Sequence, residues 1–460
     1  MAECASACFL QSACWCYALR LRHDNADRRC LRSSSRHRTE STPICNVLTG
    51  IRAGLCLDNL QTVNVMRLSY RYQILLLALT TFVAGANEYI LAGELDLVAR
   101  GLGISIGLAG QLITIYALVY GLCVPVVVAL TGRIGRRTVL VAATVGYALV
   151  SGLCFFAYDF RVFVALRVLQ ALLGGLAVVS SLSTAAVMAG PERRGRAIAT
   201  VIMGFTTSLI VAVPIGREIV LHFGWNAVFP LTAVLGLITA FIQRYALPVL
   251  TPAASIPLQE QVAMLTRPAT IAGLLVTVLW MAGYTLTYSY LTPYLLNVQH
   301  VSGNWISVIF LAFGFASLIG SRLGGSFNDK LGHHATLVML KILQAIFLVA
   351  MPAVALAWPH GSLPTITIVL MLWSITAWAC TPSQQVRVAG INAKASGVLV
   401  GLNQSSIQIG IAAGSALGGV AASAFGLSWL PWLSALLEIG ALMLLLALHR
   451  VKLSVRAARA

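Results

Sequence analysis

The sequence predicts an all-helical membrane protein of twelve transmembrane helices, arranged as two pseudo-symmetric six-helix bundles. Of the 460 residues, 58% are hydrophobic and only 10% are charged, whereas a water-soluble protein needs a largely polar surface. About twelve apolar runs are long enough for a helix to cross a bilayer, which takes roughly 20 residues. A basic segment that contains glycine also occurs once in each half of the chain. Such an internal repeat is typical of a membrane protein made of two related halves.

The predicted spans divide the chain into two bundles. The N-terminal bundle covers residues 66–247, a cytoplasmic linker covers 248–268, and the C-terminal bundle with a short tail covers 269–460. In order along the chain, the predicted spans are 71–93, 106–130, 138–157, 162–189, 197–220, 226–247, 269–295, 304–324, 335–357, 364–386, 397–423 and 428–448.

The net charge of +17 is distributed unevenly among the loops. Basic residues such as Arg136, Arg193 and Arg387 lie in or beside alternate loops, whereas the intervening loops hold few, among them Arg100 and Arg161. Because basic loops tend to stay on the cytoplasmic side, this pattern predicts that both termini are cytoplasmic. The same placement argues against a nucleic-acid-binding surface as the reason for the charge, so no nucleic-acid partner is expected.

Residues 1–65 do not resemble the rest of the chain. They hold seven of the ten cysteines, among Arg, His and Ser residues without a helical period. A zinc site needs two close cysteine pairs at a regular spacing, and Cys14 and Cys16 are too close together. Met66 directly precedes the first span, so we predict that translation starts there and that 1–65 is a non-native or disordered extension. A targeting segment is the alternative.

The repeated basic segment follows the second predicted span and recurs after the eighth. The first copy reads Gly-Arg-Ile-Gly-Arg-Arg, and the second reads Gly-Ser-Phe-Asn-Asp-Lys-Leu-Gly. When the copies are aligned, Gly132 of the first copy stands where the second copy has an aspartate. The residues that define the motif in the two copies are Arg133, Gly135, Arg136, Arg137, Gly325, Asp329, Lys330 and Gly332.

Further motifs occur within the predicted helices. The fourth span contains an arginine and two consecutive glycines, and small residues recur in the fifth and eleventh spans. Small residues at a spacing of four let helices pack closely, and the proline of the fifth span is expected to kink it. The motif residues of these three spans are Arg167, Gly174, Gly175, Gly204, Pro214, Gly216, Gly410, Gly414, Gly418 and Gly419.

Together these motifs resemble those of the major facilitator superfamily over nearly all of residues 66–448. More narrowly, they are similar to the twelve-helix drug:proton antiporter branch, near its sugar-efflux and arabinose-efflux-like members. The chain departs from the usual pattern at Val128 and Gly132 in the first loop and at Ala212 in the fifth span. The resemblance implies that the loop latches the helices in the outward-facing state, and Gly132 offers no charge for that latch.

The resemblance implies an efflux transporter of the bacterial inner membrane that exchanges small molecules, such as drugs or sugars, for protons. The two bundles would rock around a central cavity and open it alternately to each side. The proton gradient would supply the energy, so no cofactor is expected. The implied partners are a small-molecule substrate, protons and membrane lipid, and the implied assembly is a monomer.

Glu88 lies within the first predicted span. Ionisable residues in membrane spans are costly and usually functional. A carboxylate in a low-dielectric cavity favours its neutral form, so Glu88 is predicted to carry the coupled proton. The alternatives are a structural pairing and a position near the outer interface.

Glu438 in the twelfth span is the second buried acid, and we expect a local role for it.

Arg167 lies about two turns into the fourth span and cannot face lipid cheaply. We expect it to face the bundle interior, with Glu88, Gln170 and backbone carbonyls as candidate partners. The family resemblance links this arginine to proton coupling, whereas a purely structural tie between helices is the alternative. Arg217 and Glu218, near the outer end of the fifth span, are interpreted as interfacial.

Polar and aromatic side chains recur on the spans that are expected to line the cavity. An amide or a phenol in lipid is costly, so these faces should point inward. Contacts between helices are the alternative role for such residues. Two pairs are spaced by four residues and therefore share one helix face. The predicted cavity residues are Asn87, Gln111, Tyr116, Tyr120, Gln170, Tyr284, Tyr288, Asn403, Gln404 and Gln408.

Other function classes find less support in the sequence. No Walker loop, nucleophile–base arrangement or metal cluster is present, so neither ATP-driven transport, nor catalysis, nor a bound metal is expected. Ala212 in the fifth span keeps a proton-coupled importer or uniporter of a small polar solute as an alternative. A non-transporting membrane sensor would need a sizeable soluble segment, and the linker at 248–268 is too short for one. Amides and tyrosines suit sugars, nucleosides and amphiphilic drugs alike.

Overall fold

The structure, a computed structural model, describes residues 69–132, 134–248, 258–358, 362–392 and 396–457. The predicted extension at 1–65 and Arg133 lie outside these residues. Every secondary-structure element assigned within the described residues is helical. The α-helices are α1 (Tyr70–Gly93), α2 (Leu95–Leu102), α3 (Ile106–Thr131), α4 (Arg136–Cys154), α5 (Phe160–Phe223), α6 (Val228–Ala246), α7 (Leu258–Leu265), α8 (Pro268–Tyr288), α9 (Leu291–Asn297), α10 (Ile306–Ala357), α11 (Leu363–Ala389), α12 (Ser396–Ala424) and α13 (Leu430–Ala457).

Eleven of the described segments are long and apolar enough to cross a membrane. One of them, Gly303–Ala357, has 55 residues, far more than the roughly 20 that one crossing needs. Its helix α10 is interrupted at Gly332, whose φ of 77° and ψ of 159° are not helical. The segment therefore contains two spans, α10a (306–331) and α10b (333–357). The described chain thus has the twelve spans that the sequence predicts.

A second glycine interrupts α5 in the same way. Gly190 has a φ of 69° and a ψ of 175°, and it divides the helix into α5a (Phe160–Gly190) and α5b (Gly195–Phe223). A positive φ is unfavourable for a residue with a Cβ atom, so these two positions favour glycine. Both glycines lie in basic loops, where the sequence predicts that the chain reverses between spans.

The seventh span is shorter than the sequence predicts. The predicted range is 269–295, but α8 ends at Tyr288 and the separate helix α9 begins at Leu291. Pro293 provides the physical reason, because it has no N–H to donate and its ring would clash with the carbonyl of Ser289 in a continuous helix. The chain therefore breaks its helix next to the cavity that is described below.

Two helix pairs join the N-terminal helices α1–α6 to the C-terminal helices α8–α13. Helix α3 packs along α12, and α5b packs along α10a. Glycines permit the close approach: a Cβ atom on Gly107 would lie 3.0 Å from the carbonyl oxygen of Gly419, and one on Gly314 would lie 2.7 Å from Cα of Ile210. Any larger residue at these positions would push the two halves apart.

The orientation of the chain in the membrane is open to a direct test. Because the basic loops share one end of the helices, reporters fused after Ala460 and within 248–268 are expected to read as cytoplasmic. A fusion after His300, in the loop between α9 and α10, is expected to read as periplasmic. Alkaline phosphatase and green fluorescent protein fusions measure the two sides. A periplasmic signal from either of the first two sites would reverse the predicted orientation.

Candidate functional site

A cavity with a volume of about 170 Å³ lies between the two groups of helices. Side chains from α1, α3, both parts of α5, α8, α11 and α12 form its wall. We call the end of the helices that carries Arg136, Gly190 and Gly332 the basic end. The wall includes Leu182 and Gln385, which lie in the parts of α5a and α11 nearest that end. The cavity therefore reaches toward the basic end from the middle of the helices, and on the other side it extends as far as Ala92 near the end of α1.

The two groups of helices are joined at the opposite end. Side-chain hydroxyls on the C-terminal helices donate to acceptors on the N-terminal helices there. The hydrogen bonds run from Thr292 Oγ1 to Gly93 O at 2.6 Å, from Ser307 Oγ to Glu218 Oε1 at 2.9 Å, and from Ser415 Oγ to Gly110 O at 2.9 Å. In this structure the cavity therefore faces the basic end.

The wall of the cavity is largely aromatic and apolar. The rings of Tyr284 and Tyr288 stack with their centroids 5.2 Å apart, and Tyr89 of α1 meets Tyr288 edge-on at 6.3 Å. The hydroxyls of Tyr284 and Tyr288 have no hydrogen-bond partner among the described residues. Glu88 is the one charged side chain among the described residues that form the wall. A concave aromatic site with a single carboxylate is suited to an amphiphilic molecule.

Glu88 contributes this carboxylate from α1. The residue is 8% exposed, and its Oε2 atom has no hydrogen-bond partner within the described part of the chain. The side-chain amide of Gln408, on α12 in the other half, interacts with the carboxylate, and the guanidinium of Arg167 attracts it electrostatically. The charge state of Glu88 thus acts on groups in both halves of the molecule.

Arg167 is buried behind the cavity wall, as the sequence predicts. Its Nη1 atom donates to Gln170 Oε1 at 3.1 Å and to the carbonyl oxygen of Asn87 at 3.3 Å. The amides of Asn87 and Gln170 both donate to Ser151 Oγ, at 3.3 Å and 2.9 Å. The guanidinium also lies 5.2–5.9 Å from the ring centroids of Tyr116, Phe163 and Phe229. This network fixes Arg167 close to Glu88 without a direct hydrogen bond between them.

The predicted cavity residues fall into two groups. Tyr284, Tyr288, Gln404 and Gln408 lie in the cavity wall, and their contact with substrate stays a prediction. The other six lie outside the wall and pack between helices. Asn87, Gln170 and Tyr116 surround Arg167; Asn403 Oδ1 accepts from Thr277; Tyr120 packs on Gly175; and Gln111 lies against Gly419.

The sequence interpretation of Arg217 as interfacial is wrong. The structure buries Arg217 on α5b and pairs its guanidinium with Glu94 at 3.0 Å, because both partners become shielded from water where α5b packs on the end of α1. The sequence does indicate possible partners for Arg217, because the acidic residues Glu94 and Asp96 directly follow the first span. Glu218 is exposed, as the sequence interpretation expects.

Sequence reasoning also overlooked Lys341, which α10b buries within the C-terminal bundle. Its Nζ atom lies 2.9 Å from Glu438 Oε2 and 2.9 Å from Gln344 Oε1, and 4.5 Å from the ring centroid of Trp280. Trp280 in turn lines the cavity. The rule that drew attention to Arg167 applies equally to this lysine, which lies inside a predicted span.

The residues of the repeated basic segments occupy the ends of helices. Gly135 precedes α4, Arg136 donates from Nη1 to the carbonyl oxygen of Ser183 at 2.8 Å, and Arg137 is half-buried. In the second copy, Asp329 and Lys330 are exposed, and Gly332 forms the break in α10. Gly325 faces open space. The latch role that the resemblance implies for these segments stays a prediction.

The small residues of α5b pack on α1. A Cβ atom on Gly216 would lie 2.9 Å from the side chain of Ile90, and one on Gly204 would clash with the carbonyl oxygen of Ala78. Pro214 lies half-buried two residues before Gly216. This surface lets α5b lie directly against the helix that carries Glu88.

The two basic segments are expected to respond differently to substitution. Asp329→Asn removes the charge that the latch would use when the cavity faces the opposite end, so it is expected to slow the transport cycle several-fold. Gly132→Ala removes no charge and is expected to have a smaller effect. Initial transport rates at equal expression measure both. A larger loss from Gly132→Ala would contradict the latch interpretation.

The family of the chain follows from its sequence and this architecture. The sequence model described as the Major Facilitator Superfamily matches residues 77–397. The chain belongs to the major facilitator superfamily. The predicted all-helical membrane fold with twelve spans is thereby confirmed. The narrower assignment to the drug:proton antiporter branch stays a prediction.

Two curated relatives with similar sequences are transporters. The chain is 39% identical over 369 residues to the uncharacterized MFS-type transporter YbcL of Bacillus subtilis (strain 168), covering 80% of this chain and 93% of the relative. It is 29% identical over 374 residues to the inner membrane transport protein YdhP of Escherichia coli (strain K12), covering 81% and 95%. This member of the superfamily is therefore a membrane transporter and not an enzyme, as the sequence predicts.

Two solved structures share the fold. A bacterial homologue of the human lysosomal transporter Spinster, solved in an inward-facing and unoccupied conformation, matches with a TM-score of 0.66 and 16% identity, over 84% of this chain and 98% of its own. A D-xylose–proton symporter matches with a TM-score of 0.68 and 15% identity, over 82% and 97%. At these identities the likeness shows the superfamily fold alone.

Proposed function

We propose that this transporter exports small molecules, such as drugs or sugars, across the bacterial inner membrane in exchange for protons. The observation that carries the proposal is the position of Glu88. It is the one charged side chain among the described residues of the cavity wall, and one of its carboxylate oxygens has no hydrogen-bond partner among the described residues. A buried acid that faces a transport cavity is suited to bind a proton and a substrate in turn.

The contacts of Glu88 support a coupling of its charge to the conformation. When ionised, the carboxylate attracts Arg167 in its own half and interacts with Gln408 in the other half. A proton from the periplasm removes that negative charge, weakens both interactions and releases the substrate outward. Loss of the proton to the cytoplasm restores the charge. The cavity that faces the basic end represents the step at which cytoplasmic substrate enters.

The cavity wall supports a substrate with a flat or apolar surface. The stacked rings of Tyr284 and Tyr288 offer such a surface, and Tyr89 extends it from the other half. Their hydroxyls and the amides of Gln404 and Gln408 supply polar contacts in the same wall. Because residues from both halves form this surface, a bound molecule would contact both of the bundles that are expected to move.

The direction of transport is tested in everted membrane vesicles. Cells with and without the gene are first compared for drug susceptibility and sugar accumulation, which identifies a solute. Respiration then acidifies the vesicle lumen, and a pH-sensitive dye follows protons while the solute is added outside. An antiporter is expected to let protons leave the lumen at once. If the solute enters without proton movement, or moves protons only in the direction of symport, the chain is an importer or a uniporter.

A further inference from the structure

A second cluster of buried charges lies at the end opposite the basic end, outside the large cavity. Glu94, which joins α1 to α2, and Asp96, in the first turn of α2, face Arg217 of α5b. Their relative exposures are 1%, 5% and 3%. The Nη1 atom of Arg217 lies 3.0 Å from Glu94 Oε2 and 3.6 Å from Asp96 Oδ1. Two buried carboxylates thus share one guanidinium.

The charges of this cluster do not balance. With all three groups ionised, its net charge is −1, and an uncompensated buried charge is unfavourable. The carboxylate of Glu218 also acts on Glu94 and adds to the negative potential there. Glu94 Oε1 has no hydrogen-bond partner among the described residues. Burial raises the pKa of Glu94 to about 8, although the nearby Arg217 acts in the opposite direction.

A small second cavity connects this cluster with the interior of the N-terminal bundle. Its volume of about 10 Å³ is close to the space that one water molecule needs. Its wall includes Glu94, Asn87 and Arg167, together with apolar side chains such as Val98. Asn87 adjoins Glu88 in the sequence, and Arg167 attracts the carboxylate of Glu88. The small cavity therefore lies between the buried cluster and the group around Glu88.

We propose that Glu94, held by Arg217 and Asp96, is a second proton-binding site, and that the small cavity passes its proton to the group around Glu88. The bound proton forms an O–H bond at Glu94 Oε1 and cancels the excess negative charge, while Arg217 keeps its contact with Oε2. On transfer, Glu94 returns to its ionised form and the carboxylate of Glu88 becomes protonated.

This route would keep protons apart from the substrate. The large cavity faces the basic end, and the hydrogen bonds at the opposite end join the two halves there. A proton at Glu94 would reach Glu88 through the N-terminal helices instead of through the substrate path. The transfer to Glu88 rests on the proposed proton coupling, whereas the site at Glu94 does not.

Infrared spectroscopy of the purified full-length protein tests the site without any substrate. The C=O stretching band of protonated carboxyl groups is recorded while the pH is raised through 8. Wild-type protein is expected to lose a band component in this range, and Glu94→Gln is expected to lack that component. Glu88→Gln is expected to retain the component. Glu218→Gln, which removes an exposed carboxylate at the same end, is expected to retain it with a lower titration pH, because the Glu218 carboxylate raises the pKa of Glu94. A Glu94→Gln spectrum identical to that of wild type overturns the site.

The same titration distinguishes a proton from a metal cation. If the band component of the protonated Glu94 carboxyl group appears only when sodium is replaced by choline, the cluster binds sodium and the proton assignment is wrong. If Glu88→Gln keeps full proton-coupled transport while the Glu94 band component is present, Glu88 is not the coupled group and the transfer to it fails, whereas the second site stands. If wild-type transport moves no protons at all while that component is present, the proposed function fails and the second site still stands. The two failures are therefore separate outcomes.

The route is tested by filling the small cavity. Val98→Ile adds one methylene group to its wall and is expected to lower the rate of proton exchange several-fold, with the apparent substrate affinity unchanged. Val150→Ile, at a buried position on α4 outside both cavities, is the matched control and is expected to change neither. Thermal unfolding verifies that both variants are folded. Equal rates in Val98→Ile and wild type would exclude the small cavity as the path.

Discussion

Replacing Glu88 with glutamine is expected to abolish proton-driven accumulation of substrate while leaving substrate binding measurable. Glutamine has nearly the shape of the protonated acid but cannot lose a proton. The transport cycle therefore lacks the carboxylate charge that acts on both Arg167 and Gln408. Proton release on substrate addition to purified protein should fall to background. The pH dependence of substrate binding should disappear for the same reason.

Asp159→Asn is a suitable control for the glutamine variant. Asp159 is an exposed acid that caps α5, and its Oδ1 atom accepts from the N–H groups of Arg161 and Val162. Asparagine caps helices equally well, so this variant removes a carboxylate without a change in fold. It is expected to release protons as wild type does. Undiminished release from Glu88→Gln would move the coupled proton to another acid.

Replacing Lys341 with methionine is expected to destabilise the protein by about 3–5 kcal/mol, the usual effect of removing one partner from a buried ion pair. Lys341 and Glu438 are both almost fully buried, with side-chain exposures of 1% and 0%. Without the lysine, the carboxylate of Glu438 would keep only neutral neighbours. The melting temperature of the detergent-solubilised protein measures the effect.

A double variant shows whether this loss comes from the unpaired charge. Lys341→Met combined with Glu438→Met replaces the pair with apolar side chains of similar length, and such replacements are often neutral or stabilising. Most of the lost stability should therefore return. Lys330→Met, at an exposed lysine, is the control and is expected to stay within about 0.5 kcal/mol of wild type. If the double variant is as unstable as the single one, packing rather than charge explains the loss.

The candidate site was partly predictable because membrane spans leave few ionisable residues to choose from. Glu88 and Arg167 stand out on that rule alone, and the structure places Glu88 in the cavity wall and Arg167 behind it. Lys341 obeys the same rule and was overlooked. The burial of Arg217 was harder to predict, because a residue near the end of a span faces water, headgroups or protein depending on its neighbours.

The side-chain partners of the polar residues were not predictable from spacing. The spacing of four places Tyr284 and Tyr288 on one face of α8, and that face does line the cavity. For Asn87 and Asn403 the inward face meets another helix instead of the cavity. Helical periodicity gives the direction of a side chain around its own axis, but it does not tell whether a neighbouring helix or an empty space lies there.

The sequence by itself determined that the chain crosses the membrane, that it has twelve spans and that its halves share a repeated loop. These properties follow from the length and apolar character of each segment, because a bilayer imposes the same requirement on every span. Only the tertiary structure decided which charges meet. The pairs Lys341–Glu438 and Arg217–Glu94 join residues 97 and 123 positions apart, and such contacts depend on how helices pack, which local sequence patterns do not encode.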